Sequence, residues 1–478
     1  MKLPIGFKTI GPKPYEYQKE TIYYGITHEN AGLLLQMGLG KTRCAIDIAR
    51  YRMQFGDVKN VLVVVPTSIL YNWQKEIEKF SEYNSIILHS EIRENRIELI
   101  KRSKYIFNII NYEGLQPFIK ELYDKEYDMI IFDESSRYIK NHATHRTRAA
   151  VALSDRAKHK LILTGTLIAN TPLDLFSQFR VLDGGKTFGL NFWAFRNGLF
   201  VKVDTGKFSK FYLRADKREF ITNSIYKSCI RKTKEECLPD LPNKIYHTIP
   251  ILLDINGAQE YDSLQSRIIS DIETEMGTKR FEINNILTKL LRLQQFTSGF
   301  IKDVDIKETK LTRTPKLDTI LDEIDSIVDA DEAVVVWCRF LFSIDMISEG
   351  LKKLKINYLT MSGRDKDKYS KWKTYQQSKD IKVFIAQVQS GGIGIELFKE
   401  GSSASKTQHN IFYENTWSLD VREQAMGRIH RIGQRSVCRY VDIIIENTID
   451  ERILDTIKGN KQIAEEIYKR GIRGFLQK

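Results

Sequence analysis

The heptapeptide Gln36-Met37-Gly38-Leu39-Gly40-Lys41-Thr42 constrains this chain more than any other stretch. An apolar run, Leu33 to Leu35, precedes it with the character of a short buried strand. After it, Ala45, Ile46, Ile48, Ala49 and Met53 keep the spacing of a packed helix over Arg43 to Phe55. A strand, a glycine turn and a helix N-terminus together make an anion cradle. Glycines let backbone N–H groups approach the anion, and the helix dipole favours negative charge there. In such a cradle Met37, Gly38, Leu39 and Gly40 contribute backbone, Lys41 reaches the β- and γ-phosphates of a nucleotide, and Thr42 holds Mg²⁺. The eight-residue form of this pattern opens on glycine, whereas Leu35 stands there in this chain. An ordinary glycine turn is the competing reading, and the rest of the chain has to decide.

At 478 residues the chain exceeds what one hydrophobic core supports, so two domains are expected. No apolar run approaches the ~20 residues of a membrane span, and Met1-Lys2-Leu3-Pro4 opens no signal-peptide core. The expectation is a cytoplasmic protein, nuclear in a eukaryote, with no membrane partner. Five scattered cysteines without a CxxC pair suit a reducing compartment and build neither a disulfide framework nor a zinc site. His142 and His145 have no Cys or further His nearby and read as loop residues. The net charge of +13 favours a polyanionic partner.

Strand and helix patterns alternate after the glycine turn. Val61 to Val65, Tyr105 to Ile110, Asp128 to Phe132 and Leu161 to Leu163 read as strands with helical stretches between them. Such alternation predicts a parallel sheet covered on both faces, with ligands at the carboxyl ends of the strands. Asp133-Glu134 follows Met129-Ile130-Ile131-Phe132 at one of those ends. An acidic pair in that place suits a Mg²⁺ carboxylate and a residue that activates water. Thr164 and Thr166 end the next strand, with hydroxyls able to link a nucleotide site to something bound alongside. Gln18, shortly upstream, has the donor and acceptor to read an adenine edge.

These stretches, taken together, resemble a Swi/Snf-type ATP-dependent DNA translocase of helicase superfamily two. The resemblance rests on nine stretches in family order. They are Tyr17-Gln18, Met37 to Thr42, Pro66 to Glu76, Asp133 to Asn141, and Leu163 to Thr166 with Asn170. Then come Arg231 to Lys234, Leu241 to Lys244, Gly391 to Ile395 and Gln424 to Gln434. The resemblance implies an α/β fold of two RecA-like parallel-sheet lobes with helical insertions. It implies hydrolysis of ATP with Mg²⁺, and movement along double-stranded DNA. Lys41, Asp133 and Glu134 would act from the first lobe, with Thr42 and Asp133 holding Mg²⁺ and Gln18 reading adenine. Arg428 and Arg431 would act from the second, Gln424 would couple the lobes, and Gly394 would lie at the nucleotide.

The expected boundaries are a first lobe over residues 1–236, a linker over 237–250, a helical segment over 251–313 and a second lobe over 314–478. The second lobe has strands of its own, at Val334 to Trp337, Tyr358 to Met361, Val383 to Ala386 and Asn410 to Tyr413, but no phosphate cradle. Arg428 and Arg431, three apart, would share a face if helical. A helical protrusion expected near 176–235 breaks the alternation. Within it, Phe200 to Glu235 carries ten Lys/Arg against four Asp/Glu, mixed with aromatics. That mixture suits a nucleic-acid surface as well as it suits a solvated insertion.

The chain also departs from the family pattern. Leu35-Gln36 replaces an acidic pair, Ser136 stands where His or Gln closes the acidic motif, Leu167 replaces a proline, and Gln389 stands at an often basic place. With no room for a chromatin-reading or RING module, the expectation is a bare motor, and whether it has a protein partner is left open. A strand-separating or branch-migrating helicase, a remodeller that strips a protein such as polymerase off DNA, and an ATP-dependent binding module remain alternatives.

Overall fold

The computed structural model describes residues 2–56, 58–168, 171–204, 209–277, 283–302, 308–365, 367–389, 396–399, 406–459 and 472–476. The chain divides into two compact units, Met1–Pro239 and Asp240–Lys478.

In the first unit the buried apolar runs, with the half-buried Ser85–Ile87, become strands. They are β1 (Asn30–Leu35), β2 (Val61–Val65), β3 (Ser85–Ile87), β4 (Phe107–Asn111), β5 (Met129–Asp133) and β6 (His159–Leu163). A hairpin of β7 (Phe200–Asp204) and β8 (Ser209–Leu213) stands apart, and β9 (Cys229–Lys232) returns to the sheet. The order is β3-β4-β2-β5-β6-β1-β9, and every neighbouring pair is parallel. Runs such as Val61–Val65, buried at every position, are what a sheet covered on both faces demands. The cover includes α1 (Glu16–Thr27), α2 (Lys41–Phe55) and α3 (Leu70–Phe80). Because the strands are parallel, their carboxyl ends lie on one edge. That edge gathers the glycine turn after β1, Thr67 after β2, Asp133 at the end of β5, Thr164 after β6 and Thr233 after β9.

The second unit holds β10 (Lys244–Ile251), the small antiparallel pair β11 (Phe300–Lys302) and β12 (Glu308–Lys310), β13 (Ala333–Cys338), β14 (Tyr358–Met361), β15 (Val383–Gln387), β16 (Thr407–Phe412) and β17 (Val437–Ile445). Its six-stranded parallel sheet runs β10-β17-β16-β13-β15-β14. The helices Ile255–Gly277 and Ile283–Thr297 pack Tyr261, Ile272, Leu290 and Leu293 against Ile449 and Ile453. Among the described residues no helix is long and apolar enough to cross a membrane. Two parallel α/β units, one carrying the glycine turn, are the fold class expected from the sequence.

Two boundaries differ from expectation. Residues 237–250 contain a strand rather than only a linker: β10 pairs residue by residue with β17, from Lys244 beside Cys438 to Ile251 beside Ile445. As an edge strand it is half-exposed and tolerates Pro250, which hid its strand character. The insertion near 176–235 is not simply helical, since it contains the β7–β8 hairpin and β9. The short, basic β9, Cys-Ile-Arg-Lys, closes the sheet edge beside β1.

Candidate nucleotide site

The glycine turn takes the shape that only glycine takes cheaply. Gly38 and Gly40 sit at φ of 90° and 79°, in the left-handed region. The Leu39 N–H closes the turn on the Gln36 carbonyl at 3.2 Å, and the fully buried Leu39 side chain pins it from below. Gly40 then caps α2, whose first residues are Lys41 and Thr42, both half-buried.

Gln18 lies against this turn. Its buried amide donates from Nε2 to the Leu39 carbonyl at 3.1 Å and accepts from the Tyr15 N–H at 3.1 Å. A Cβ on Gly40 would lie 2.5 Å from Gln18 Nε2, so a side chain there would push the Gln18 amide off the turn in addition to straining the backbone angle. Half of the amide's hydrogen-bonding capacity is thus committed, one bond to the cradle and one to the start of α1.

The acidic pair meets the cradle at the edge of the sheet. Lys41 Nζ stands 3.6 Å from Glu134 Oε1. Glu134 adopts a left-handed φ of 52°, uncommon for a side-chain-bearing residue. Asp133 is buried and doubly held: Trp73 Nε1 donates to its Oδ2 at 2.8 Å, and the Glu134 N–H donates to its Oδ1 at 2.9 Å. Its pKa is pushed up to about 6, chiefly by burial and next by the neighbouring Glu134 charge, against the opposing pull of Lys41. Burying a carboxylate beside a second one creates a place where added positive charge is favoured. The Asp133 carbonyl accepts from the Tyr112 hydroxyl at 2.7 Å, which locks the end of β5.

Ser136, where the family pattern puts His or Gln, is within hydrogen-bond distance of Thr164, Oγ to Oγ1, at 2.8 Å. Thr164 Oγ1 also donates to the Thr166 carbonyl at 2.6 Å. The two motifs are therefore joined by hydroxyls. A Cβ on Gly165 would lie 4.0 Å from Lys41 Nζ, so this loop borders the cradle.

Three further residues complete the first-unit site: Trp73, Tyr112 and Gln178. Gln178 accepts from Ser135 Oγ at 3.1 Å and donates to the Leu167 carbonyl at 2.6 Å. Their roles depend on contacts between distant elements, and only Trp73 lay inside a recognisable stretch.

In the second unit Gln424 is half-buried on the helix Leu419–Gly427. Arg428 and Arg431 do not share a helical face, because the helix ends at Gly427. The chain tightens there, with the N–H groups of Arg428 and Ile429 reaching back only three residues, to Ala425 and Met426. Arg428 caps the helix and is buried, and its carbonyl accepts from the Leu397 N–H at 2.9 Å. Arg431 is half-buried, with Nη2 at 3.1 Å from Glu396 Oε1. His430 Nε2 lies 2.8 Å from the Pro242 carbonyl, which fastens this turn to the start of the unit. Asn170 and Gly394, with the rest of 391–395, lie outside the described residues.

A glycine cradle at a strand end, faced by a lysine and a buried acidic pair, defines a P-loop nucleotide site. A sequence model of the SNF2-related domain matches residues 17–299, more than half of the chain, and the chain belongs to that family. It is 27% identical over 474 residues to an uncharacterised ATP-dependent helicase of Mycoplasma genitalium, covering 96% of this chain and 43% of the relative. A putative ATP-dependent helicase/translocase of Bacillus subtilis is 25% identical over 441 residues, covering 90% and 46%. The chain thus spans about half the length of these curated relatives. Among solved structures, the Sulfolobus solfataricus SWI2/SNF2 ATPase core in complex with dsDNA aligns over 100% of this chain and 96% of that one, at 21% identity and a TM-score of 0.46.

Proposed function

We propose that this chain is an ATP-driven motor that hydrolyses ATP with Mg²⁺ and moves along double-stranded DNA. The observation that carries this reading is the meeting of Lys41 with Asp133-Glu134 across a glycine cradle, in a chain of the SNF2-related family. Lys41 and the turn's N–H groups bind the β- and γ-phosphates. Asp133, buried and oriented by Trp73, would hold Mg²⁺ together with Thr42, oxygen donors that suit a hard cation. Bound there, Mg²⁺ would neutralise charge on the phosphates. Glu134, at the edge of the cradle, orients the attacking water and accepts its proton. Gln18 steadies the turn and offers its remaining donor and acceptor to the base. Arg428 and Arg431 act on the γ-phosphate from the second unit, Gln424 couples the units, and Gly394 lies at the nucleotide. The relatives' descriptions as helicase and translocase support a motor of this kind, and the net charge of +13 suits a polyanionic track, for which duplex DNA is our reading.

Steady-state ATPase measured with duplex, single-stranded and no DNA tests the reading. Duplex should stimulate most, and a pre-bound third strand should be displaced only with ATP. Lys41→Ala should abolish turnover, while Glu134→Gln should bind ATP without hydrolysing it. Full activity in either variant overturns the site assignment, and efficient unwinding of a plain fork replaces translocase by strand-separating helicase.

A further inference from the structure

Gln36 stands at the exit of β1, immediately before the glycine turn, in a place where the family pattern carries an acid. Both halves of the residue are engaged by the same distant segment. Its backbone N–H donates to the Lys232 carbonyl at 3.1 Å, and its side-chain Oε1 accepts from the Lys234 N–H at 2.7 Å. Lys232 ends β9, and Lys234 opens the short helix Lys234–Cys237, the last element of the first unit.

That segment is stiff where Gln36 grips it. Thr233 and Glu236 close a reciprocal cap, with the Glu236 N–H on Thr233 Oγ1 at 3.3 Å and the Thr233 N–H on Glu236 Oε2 at 3.2 Å. Lys232 Nζ is fixed 2.5 Å from Glu20 Oε2. Glu20 belongs to α1, the helix whose Gln18 holds the Leu39 carbonyl of the glycine turn. The turn and the exit segment are thus tied twice, directly through Gln36 and indirectly through α1.

We propose that Gln36 is a positioning residue that makes the exit segment 232–239 follow the occupancy of the cradle. This rests on the nucleotide reading above. A triphosphate seated on the turn orders the backbone at 36–40, and the pair of bonds from Gln36 passes that order to the point where the chain leaves the first unit. The requirement is an acceptor oxygen on a stem of this length. A glutamate meets it and an apolar side chain does not.

Amide hydrogen exchange of the full chain, with and without a non-hydrolysable ATP analogue and Mg²⁺, tests the link. Analogue binding is followed in parallel by fluorescence. In the unaltered chain the analogue should slow exchange over 232–239. Gln36→Ala should still bind the analogue, weakened by no more than the factor by which the analogue slows exchange in the unaltered chain, yet exchange ~10-fold faster at Lys234, the factor belonging to one hydrogen bond, with no response to nucleotide. Gln36→Glu should restore the response, which a merely structural role would not require. If Gln36→Ala fails to fold, Gln36→Met keeps the stem without the acceptor and replaces it. The proposal is overturned if the unaltered chain binds the analogue without a change at 232–239, or if the variants lacking the acceptor respond as it does. Absence of analogue binding in the unaltered chain would instead remove the nucleotide reading, and the fluorescence arm shows which has failed.

Discussion

Trp73 and Asp133 lie sixty residues apart in the chain, yet the indole N–H is one of two donors that fix the buried carboxylate. Trp73 is itself fully buried, so its ring is set by packing and its N–H has one direction. A group that orients a metal carboxylate commonly contributes ~10–100-fold to metal affinity or activity. Trp73→Phe keeps most of the packing and removes the donor. It should therefore raise the Mg²⁺ concentration needed for half-maximal ATPase by that order while leaving saturating turnover less affected. A Mg²⁺ titration at fixed ATP checks this, and an unchanged midpoint would reduce the indole's role to packing alone. The acidic pair and the cradle were legible because each is a local word: glycines beside Lys-Thr, two acids after an apolar run. The Trp73 donor and the Tyr112 hydroxyl were not, since neither is determined until β2, β4 and β5 lie side by side.

At the scale of elements, the hairpin β7–β8 and the helix Arg218–Ser228 present an exposed mixture of cations and aromatics. Val201, Tyr212, Phe220 and Tyr226 are all at least 48% exposed, too much apolar surface for an inward-facing core. Arg214 and Lys217 are drawn to Asp216, whereas Arg218 and Lys227 stand exposed on the following helix. If this arm tracks phosphates, Arg218→Ala with Lys227→Ala should flatten the dependence of log DNA affinity on log salt. The slope should fall by about one for each phosphate that the arm no longer neutralises. An unchanged slope returns the arm to a solvated role. The same elements show where sequence reading stops. Strands buried on both faces, such as β2 and β13, announce themselves as unbroken apolar runs. The edge strands β9 and β10 carry Arg, Lys, Tyr, His and Pro, because only one side of each is hydrogen-bonded and part of each is wet. Their strand character comes from the neighbours they find, β1 and β17, and not from their own residues.

For the whole molecule, the two arginines after the helix Leu419–Gly427 are the test of whether hydrolysis needs both units. An arginine that meets the transferring phosphoryl group is worth ~10³–10⁵ in rate. Arg428→Ala and Arg431→Ala should each lower kcat strongly while nucleotide affinity changes little. Lysine should rescue poorly, because it lacks the planar fork of donors. Basal and DNA-stimulated rates separate the readings: a variant that keeps basal turnover and loses only stimulation marks its arginine as a coupling residue. The environments differ, since Arg428 is buried at a helix end and Arg431 is held at Glu396, so the two variants need not fail alike. The placing of β10 has a further consequence, for the order in which the molecule is made. The first sheet is complete once β9 has left the ribosome, but among the described residues β10 pairs only with β17, the last strand of the second sheet. At ~5–20 residues per second, β10 waits roughly ten to forty seconds for that partner. Through that interval a nascent edge, Lys-Ile-Tyr-His-Thr-Ile-Pro-Ile, is open to pairing with other chains. The lysine at its start and the proline near its end are the two residue types that discourage such pairing.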